Sequence, residues 1–190
     1  ASHIRSEREA IVDAVKEAIE IGRQGGVAVQ IAHHKACGSR NWGKVRTTLQ
    51  VIEEARAAGT DVMVDQYPYI ASATSLSILL PDWAHDGGGK AVQECIRSRR
   101  QDLLSYLQAA SRPGGWIAGD GGFAGVVVSS VRTDANRHCE GKNMLAIAEE
   151  RQTSPEEAVL DLLLEEGKTL QAGTLKIETL YTPGHTPACA

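Results

Sequence analysis

The chain has 190 residues, 42% of them hydrophobic, and a formal net charge of −4. That length allows one domain with a real core, and the mixed, mildly acidic charge lacks the basic footprint of a nucleic-acid binder. No apolar run reaches the roughly 18–20 residues that span a bilayer, and Ala1 to Ala10 mixes charges of both signs without the apolar stretch of a signal peptide.

Cys37, Cys95, Cys139 and Cys189 are widely spaced, with no Cys-x-x-Cys pair. This fits free thiols in a reducing compartment and a soluble, cytoplasmic protein. In chain order, Glu7 to Gly22 reads as an amphipathic helix, with Ile11, Val15, Ala18 and Ile19 at helical spacing and Gly22 to Gly26 breaking the pattern. Val27 to Ala32 is short, β-branched and bounded by glycine, so it reads as a strand. Strand parity puts His33 on the face of Val27, Val29 and Ile31. A polar loop from His34 to Gly43 follows. Lys44 to Ala58 is a second amphipathic helix through Val45, Leu49, Ile52 and Ala55. Thr60 to Asp65 is a second strand, stopped by Tyr67-Pro68-Tyr69. Strand and helix alternating with short turns predict a parallel sheet with right-handed crossovers.

After Tyr69 the pattern loosens. Ile70 to Gly89 reads as a long loop of the functional or covering kind. Ala91 to Leu107 is expected to be helical, although Arg99 and Arg100 interrupt its stripe. Arg112 to Gly125 is rich in glycine and irregular, and Val126 to Val128 is a strand. Lys142 to Glu150 and Pro155 to Glu166 are helices, the second opened by Ser154 as cap, Pro155 in the first position and Glu157 completing a capping box. Thr174 to Tyr181 alternates like a half-exposed strand and runs into Thr182-Pro183-Gly184-His185-Thr186-Pro187.

Chemistry concentrates at Val29-Gln30-Ile31-Ala32-His33-His34-Lys35-Ala36-Cys37-Gly38. An apolar run ends in two histidines, a lysine and a cysteine, and the carboxyl ends of strands are where α/β proteins build sites. His3 lies one strand–helix unit upstream, also ahead of a helix. Two histidines at equivalent points of successive βα units can face one metal, with nitrogens on the order of 3–4 Å apart for zinc–nitrogen bonds of roughly 2.0–2.1 Å.

Several neighbours have plainer readings. His34 is expected to face solvent or a supporting partner, and Cys37 to be a buried thiol. His85 and His138 fall in solvated loops. Asp65 either orients Tyr67 or Lys35 or forms a turn. Arg5 and Glu7 can pair or cap the first helix, and Trp42 and Trp83 read as loop anchors.

Ser2-His3-Ile4-Arg5-Ser6-Glu7, Ile31-Ala32-His33-His34-Lys35, Asn41-Trp42-Gly43 and Asp65-Gln66-Tyr67-Pro68-Tyr69 together resemble the N-acyl-D-amino-acid deacylase (D-aminoacylase) branch of the amidohydrolase superfamily. Leu79 to Trp83 and Gly141 to Leu164 add to the resemblance. It implies an α/β fold, a partial metal-dependent (β/α)8 TIM barrel over residues 1–166 with irregular insertions. It implies zinc as cofactor, His3 and His33 as metal ligands, and Lys35 and Tyr67 in the substrate pocket. The implied reaction is cleavage of the amide bond of an N-acyl-D-amino acid by metal-activated water. That family's first-strand His-x-His and its Ser-Asp-Gly aspartate have no counterpart here. No catalytic residue is therefore assigned, and the chain reads as a fragment that is inactive alone.

Residues 167–190 resemble instead a tail fragment of the metallo-β-lactamase superfamily, through Thr182-Pro183-Gly184-His185-Thr186. The alternative readings are a non-catalytic metal- or partner-binding fragment, or a hydrolase acting through this short β tail. The partners expected are a small-molecule N-acyl-D-amino acid and a second copy through an unpaired sheet edge, with no nucleic acid and no membrane.

Overall fold

The structure is a computed structural model that describes residues 1–87, 89–166 and the backbone of 171–176. The described residues form two compact units, dividing between Ile70 and Ala71. The expected boundary between residues 1–166 and 167–190 falls at 167–170, outside the described residues, as does the loop carrying His185.

In the first unit, helix α1 (Ile11–Gly25) precedes strand β1 (Val29–Ile31), and helix α2 (Lys44–Ala57) precedes strand β2 (Val62–Val64). The two strands pair in parallel, Val29 with Val62 and Ile31 with Val64. Ser2 adds a parallel bridge to Ile31 on the other side of β1. Successive βα units with parallel strands are thus present, as the alternation predicts.

The helices close over one face of this sheet. Ile11, Val15, Ala18 and Ile19 of α1 and Ile52 of α2 pack with Val29, Ile31 and Val62. Each of the Ile and Val side chains contributes roughly 1.5–3 kcal/mol by leaving water. Ile31 is fully buried, as is Ile11, and Ile→Ala at such a core position costs about 2–5 kcal/mol. Gly22 is needed for this closure, because a Cβ there would stand 1.9 Å from Val29 Cγ2. Gly26 then ends the helix with φ of 62°, its N–H returning to Gly22 O.

In the second unit Leu76, Leu79, Ile96, Leu103, Leu107, Ile117, Met144, Ile147 and Leu160 fill the core. Three departures from the sequence reading occur here. Residues 70–89 are not one loop: Ala71–Ser75 is strand β3, and two single-turn 3-10 helices follow at Leu76–Leu79 and Asp82–Ala84. The expected helix from Ala91 to Leu107 is two, α3 (Gly89–Ser98) and α4 (Arg100–Ser111), broken at Arg99, whose φ of −128° is not helical. The glycine-rich stretch contains a short helix α5 (Trp116–Gly119), followed by strand β4 (Val127–Ser130).

Helices α6 (Met144–Glu150) and α7 (Pro155–Glu166) follow. Ser154 Oγ accepts the Glu157 N–H as the cap requires, while the Glu157 carboxylate pairs with Arg100 rather than returning to the cap. Strand β5 (Gln171–Lys176) lies antiparallel between β3 and β4. No described helix is long and apolar enough to cross a membrane.

Candidate functional site

The site grows from the parallel ladder of the first unit. Ser2 N–H donates to Gln30 O at 2.7 Å, and Ala32 N–H donates to Ser2 O at 3.0 Å. These bonds hold the N-terminal segment alongside β1, so His3 and His33 leave the sheet at the same end. Their rings meet, with centroids 4.6 Å apart and His3 Nδ1 2.6 Å from His33 Nε2. That is closer than the predicted separation. Two nitrogens sharing a proton approach to hydrogen-bond distance, whereas two on a tetrahedral ion must stand about 3.4 Å apart.

His33 does not keep strand parity. Its φ is 41°, in the left-handed region that a β-branched strand avoids and an ordinary side chain seldom visits. The Asp65 carboxylate stabilises the turn. Its Oδ1 accepts the His33 backbone N–H at 2.6 Å and its Oδ2 accepts Gln30 Nε2 at 2.6 Å. The Asp65 carbonyl takes the His34 N–H at 2.8 Å, so the ends of β1 and β2 are cross-tied. Asp65 therefore orients His33, not Tyr67 or Lys35. The His33 N–H, followed by Gln30, holds its carboxyl below the usual range against a smaller opposing effect of burial.

The next residue turns inward. His34 is buried and bonds Thr48 Oγ1 of α2 at 2.8 Å, which excludes the solvent-facing reading and leaves the supporting one. Lys35 is buried too. Its ammonium donates to Glu7 Oε1 at 2.6 Å, to His33 Nδ1 at 3.0 Å and to His33 O at 3.2 Å. It also stands 5.4 Å from the centre of the Tyr67 ring. Tyr67 Oη is buried and, among the described residues, meets the geometric criteria for a hydrogen bond with none. Burial raises its phenol above the ordinary value, and the Lys35 charge opposes the rise.

Glu7 is the residue that sequence reasoning missed. It was assigned to pairing with Arg5 or capping, but Arg5 pairs with Glu17 instead. Glu7 Oε1 meets Lys35 and lies 2.7 Å from His33 Nδ1, while Oε2 accepts the Cys37 thiol at 3.4 Å. Its position inside Ser2-His3-Ile4-Arg5-Ser6-Glu7 was the available signal, because ligand histidines are ordinarily backed by a carboxylate. Cys37 is buried as expected. Burial, then the Glu7 charge, pushes its thiol up to about 12.

Other candidates stay apart from this cluster. His85 and His138 are exposed, and His138 bonds Ala135 O at 2.9 Å. Trp42 is partly exposed, and Trp83 carries the Arg99 guanidinium over its ring at 3.9 Å. Among the described residues no three His, Cys, Asp or Glu side chains group as a metal centre would. The His3–His33 pair still fits half of one: two ring nitrogens face each other, with a carboxylate behind the second.

No family model matches the chain. It is 48% identical over 83 residues to an N-acyl-D-glutamate deacylase of Alcaligenes xylosoxydans xylosoxydans, covering 44% of this chain and 16% of that protein. To a D-aminoacylase of the same organism it is 49% identical over 76 residues, 40% of this chain and 16% of the relative. The chain thus spans about a sixth of the length of these curated relatives. Among solved structures, a D-aminoacylase crystal structure superposes with a TM-score of 0.58 at 27% identity, over 93% of this chain and 27% of that one. An N-acyl-D-glutamate deacylase from Bordetella bronchiseptica, complexed with zinc and a phosphonate inhibitor, shares the fold with a TM-score of 0.61 at 23% identity, over 93% and 28%. The similarity is to the D-aminoacylase branch of the amidohydrolases, over a segment of those proteins.

Proposed function

We propose that the chain carries part of the active site of a zinc-dependent amidohydrolase that cleaves the amide bond of N-acyl-D-amino acids, set in part of a (β/α)8 barrel. The observation that carries this reading is the pair His3 and His33, ring nitrogens facing, at the same end of adjacent parallel segments. These two residues would hold the zinc. Bound there, the metal supplies Lewis acidity and a hydroxide at neutral pH.

The chain's own residues do the rest. Asp65 fixes the backbone of His33, Glu7 backs its ring, and His34 anchors the turn to α2. Lys35 brings a positive charge and Tyr67 an unpartnered hydroxyl to one place, which suits the carboxylate and acyl oxygens of an N-acylated amino acid. Two imidazoles are half of a four-coordinate shell, so this chain by itself binds zinc weakly and turns over little.

The test is zinc titration of the chain against a His3→Ala, His33→Ala double variant, with N-acyl-D-glutamate and its L enantiomer as ligands. Zinc binding should disappear in the variant, and only the D enantiomer should shift the Tyr67 resonances. Undiminished zinc binding in the double variant would remove the reading.

A further inference from the structure

The chain contains two Asp-Gly-Gly triplets, Asp86-Gly87-Gly88 and Asp120-Gly121-Gly122. In both the first glycine is left-handed, Gly87 at a φ of 95° and Gly121 at 97°, so local sequence and glycine φ do not distinguish them. Their surroundings do. Asp86 is exposed, in the turn between the 3-10 helix Asp82–Ala84 and α3. Among the described residues its carboxylate has no hydrogen-bond or ion-pair partner, and the Gly87 N–H has no acceptor. Asp120 is 2% exposed, at the end of α5. Its N–H donates to Trp116 O at 3.2 Å and Ile117 O at 3.1 Å, and the Gly121 N–H donates to Ala118 O at 3.3 Å.

An aspartate followed by glycine can cyclise. The glycine nitrogen attacks the side-chain carboxyl carbon, Cγ. An N–Cγ bond forms, a Cγ–O bond breaks, and the amide proton leaves with the carboxyl's hydroxyl as water. Water then adds to one of the two carbonyls of the succinimide ring. Opening at Cγ returns aspartate, whereas opening at the main-chain carbonyl leaves the chain running through Cγ, as isoaspartate. No other reactant is needed. The nitrogen has to be released from any acceptor and swing over Cγ, which a side chain on the following residue would obstruct.

We propose that Asp86-Gly87 is a site of spontaneous isoaspartate formation in the folded chain, and that Asp120-Gly121 is protected. At Asp86 the carboxyl is open to water, and among the described residues no hydrogen bond has to break. At Asp120 the Gly121 N–H must first leave Ala118 O and water must enter a buried site. That pair therefore reacts only in the small fraction of molecules that are locally unfolded.

The product bears on α3. Isoaspartate lengthens the main chain by a methylene just ahead of this helix, whose Val92 and Ile96 are buried in the core of the second unit. Gly87 already stands close to the helix, since a Cβ on it would lie 3.1 Å from Ala91 Cβ. The carboxyl set free is the α-carboxyl of residue 86. It is the group that a protein carboxyl methyltransferase using S-adenosylmethionine recognises in isoaspartate.

The experiment ages the full chain, folded, in mildly acidic buffer and reads isoaspartate in two ways. One is methyl transfer from labelled S-adenosylmethionine by such a methyltransferase. The other is electron-transfer fragmentation of its peptides, which separates isoaspartate from aspartate at equal mass. Circular dichroism checks that each sample stays folded. Isoaspartate should accumulate at position 86 within about tenfold of the rate in a synthetic peptide of residues 82–92, since a turn that opens at little cost is barely protected. None should be detected at position 120 in the same samples, and in denaturant the two positions should react alike. Asp86→Glu, which would have to close a larger ring, should lose the signal and keep the fold. Asp86→Asn should reach the same succinimide with loss of ammonia and give the product faster.

A position 86 that is unmodified after the peptide has converted overturns the proposal. So does modification of Asp120 in the folded chain at a rate that matches Asp86. Methylation that persists undiminished in Asp86→Glu places the site elsewhere and overturns it as well.

Discussion

The Asp65 carboxylate grips the backbone N–H of His33 at 2.6 Å, and His33 sits at a φ of 41°. A side chain at the end of one strand thus determines where the imidazole at the end of its neighbour points. Asp65→Ala leaves that N–H without its acceptor, at a cost of about 1–3 kcal/mol. Urea unfolding should register the loss, and the ring contact between His3 and His33 should weaken in NMR. An unchanged midpoint together with an unchanged ring contact would show that the turn holds itself.

Tyr67→Phe separates stability from binding. Among the described residues the Tyr67 hydroxyl is buried without a partner, so removing it relieves an unmet hydrogen bond. The variant should unfold at the same or a higher denaturant concentration than wild type, while its affinity for an N-acyl-D-amino acid falls. A clear loss of stability would reveal a structural role for the hydroxyl.

Cys37 should be inert towards thiol reagents at pH 8 in the native chain. Its thiol is buried and pushed up to about 12, so almost none is thiolate at that pH. Labelling with iodoacetamide, followed by mass spectrometry, should modify Cys37 only after denaturant is added. Rapid native modification at this position would contradict the packing of Cys37 against Glu7.

Glu166 sets an acid limit on the second unit. Its carboxylate takes the backbone N–H groups of Arg132 at 2.6 Å and Thr133 at 3.0 Å, the Thr133 hydroxyl, and Asn136 Nδ2 at 2.6 Å. Burial alone would raise its pKa, but the Thr133 and Asn136 side chains and the two backbone donors outweigh it and leave it lowered from 4.5. A carboxylate depressed on folding stabilises fully above its unfolded value and ceases to do so as pH falls through the folded one. Stability should therefore be flat above about pH 5 and decline below 4.5. Glu166→Ala should cost about 3 kcal/mol at pH 7 and flatten the decline. A variant with the same acid profile as wild type would assign the decline to other groups.

Much of this was legible in the sequence where one physical cause dominates. The stripe Ile11, Val15, Ala18, Ile19 and the run Val29–Ile31 are set by burial, and both elements form on those residues, although the helix spans Ile11–Gly25 rather than Glu7 to Gly22 and the strand only the middle of Val27 to Ala32. The first half of the cap at Ser154 follows from local chemistry alone. Parity failed at His33 because a distant carboxylate, Asp65, overrides the pleat. Glu7 was missed because its partners lie about thirty residues on. Strand β3 was read as loop because Ala71, Ser72, Ala73, Thr74 and Ser75 are too small to show an apolar alternation, and their pairing partner is supplied by β5.

That partner arrives late. Strand β5 lies between β3 and β4, so among the described residues each of them has its ladder to β5 and none to the other. As the chain is synthesised, β3 emerges about a hundred residues before Lys176, which pairs with Ala71. Closing a loop of that length is slow relative to local helix formation. Helices α3 to α7 can therefore assemble first around Leu103, Leu107, Ile147 and Leu160, while the backbone groups of β3 wait for the last strand. During that interval β3 is an open edge, and its run of alanine, serine and threonine gives it little apolar surface with which to capture the wrong chain.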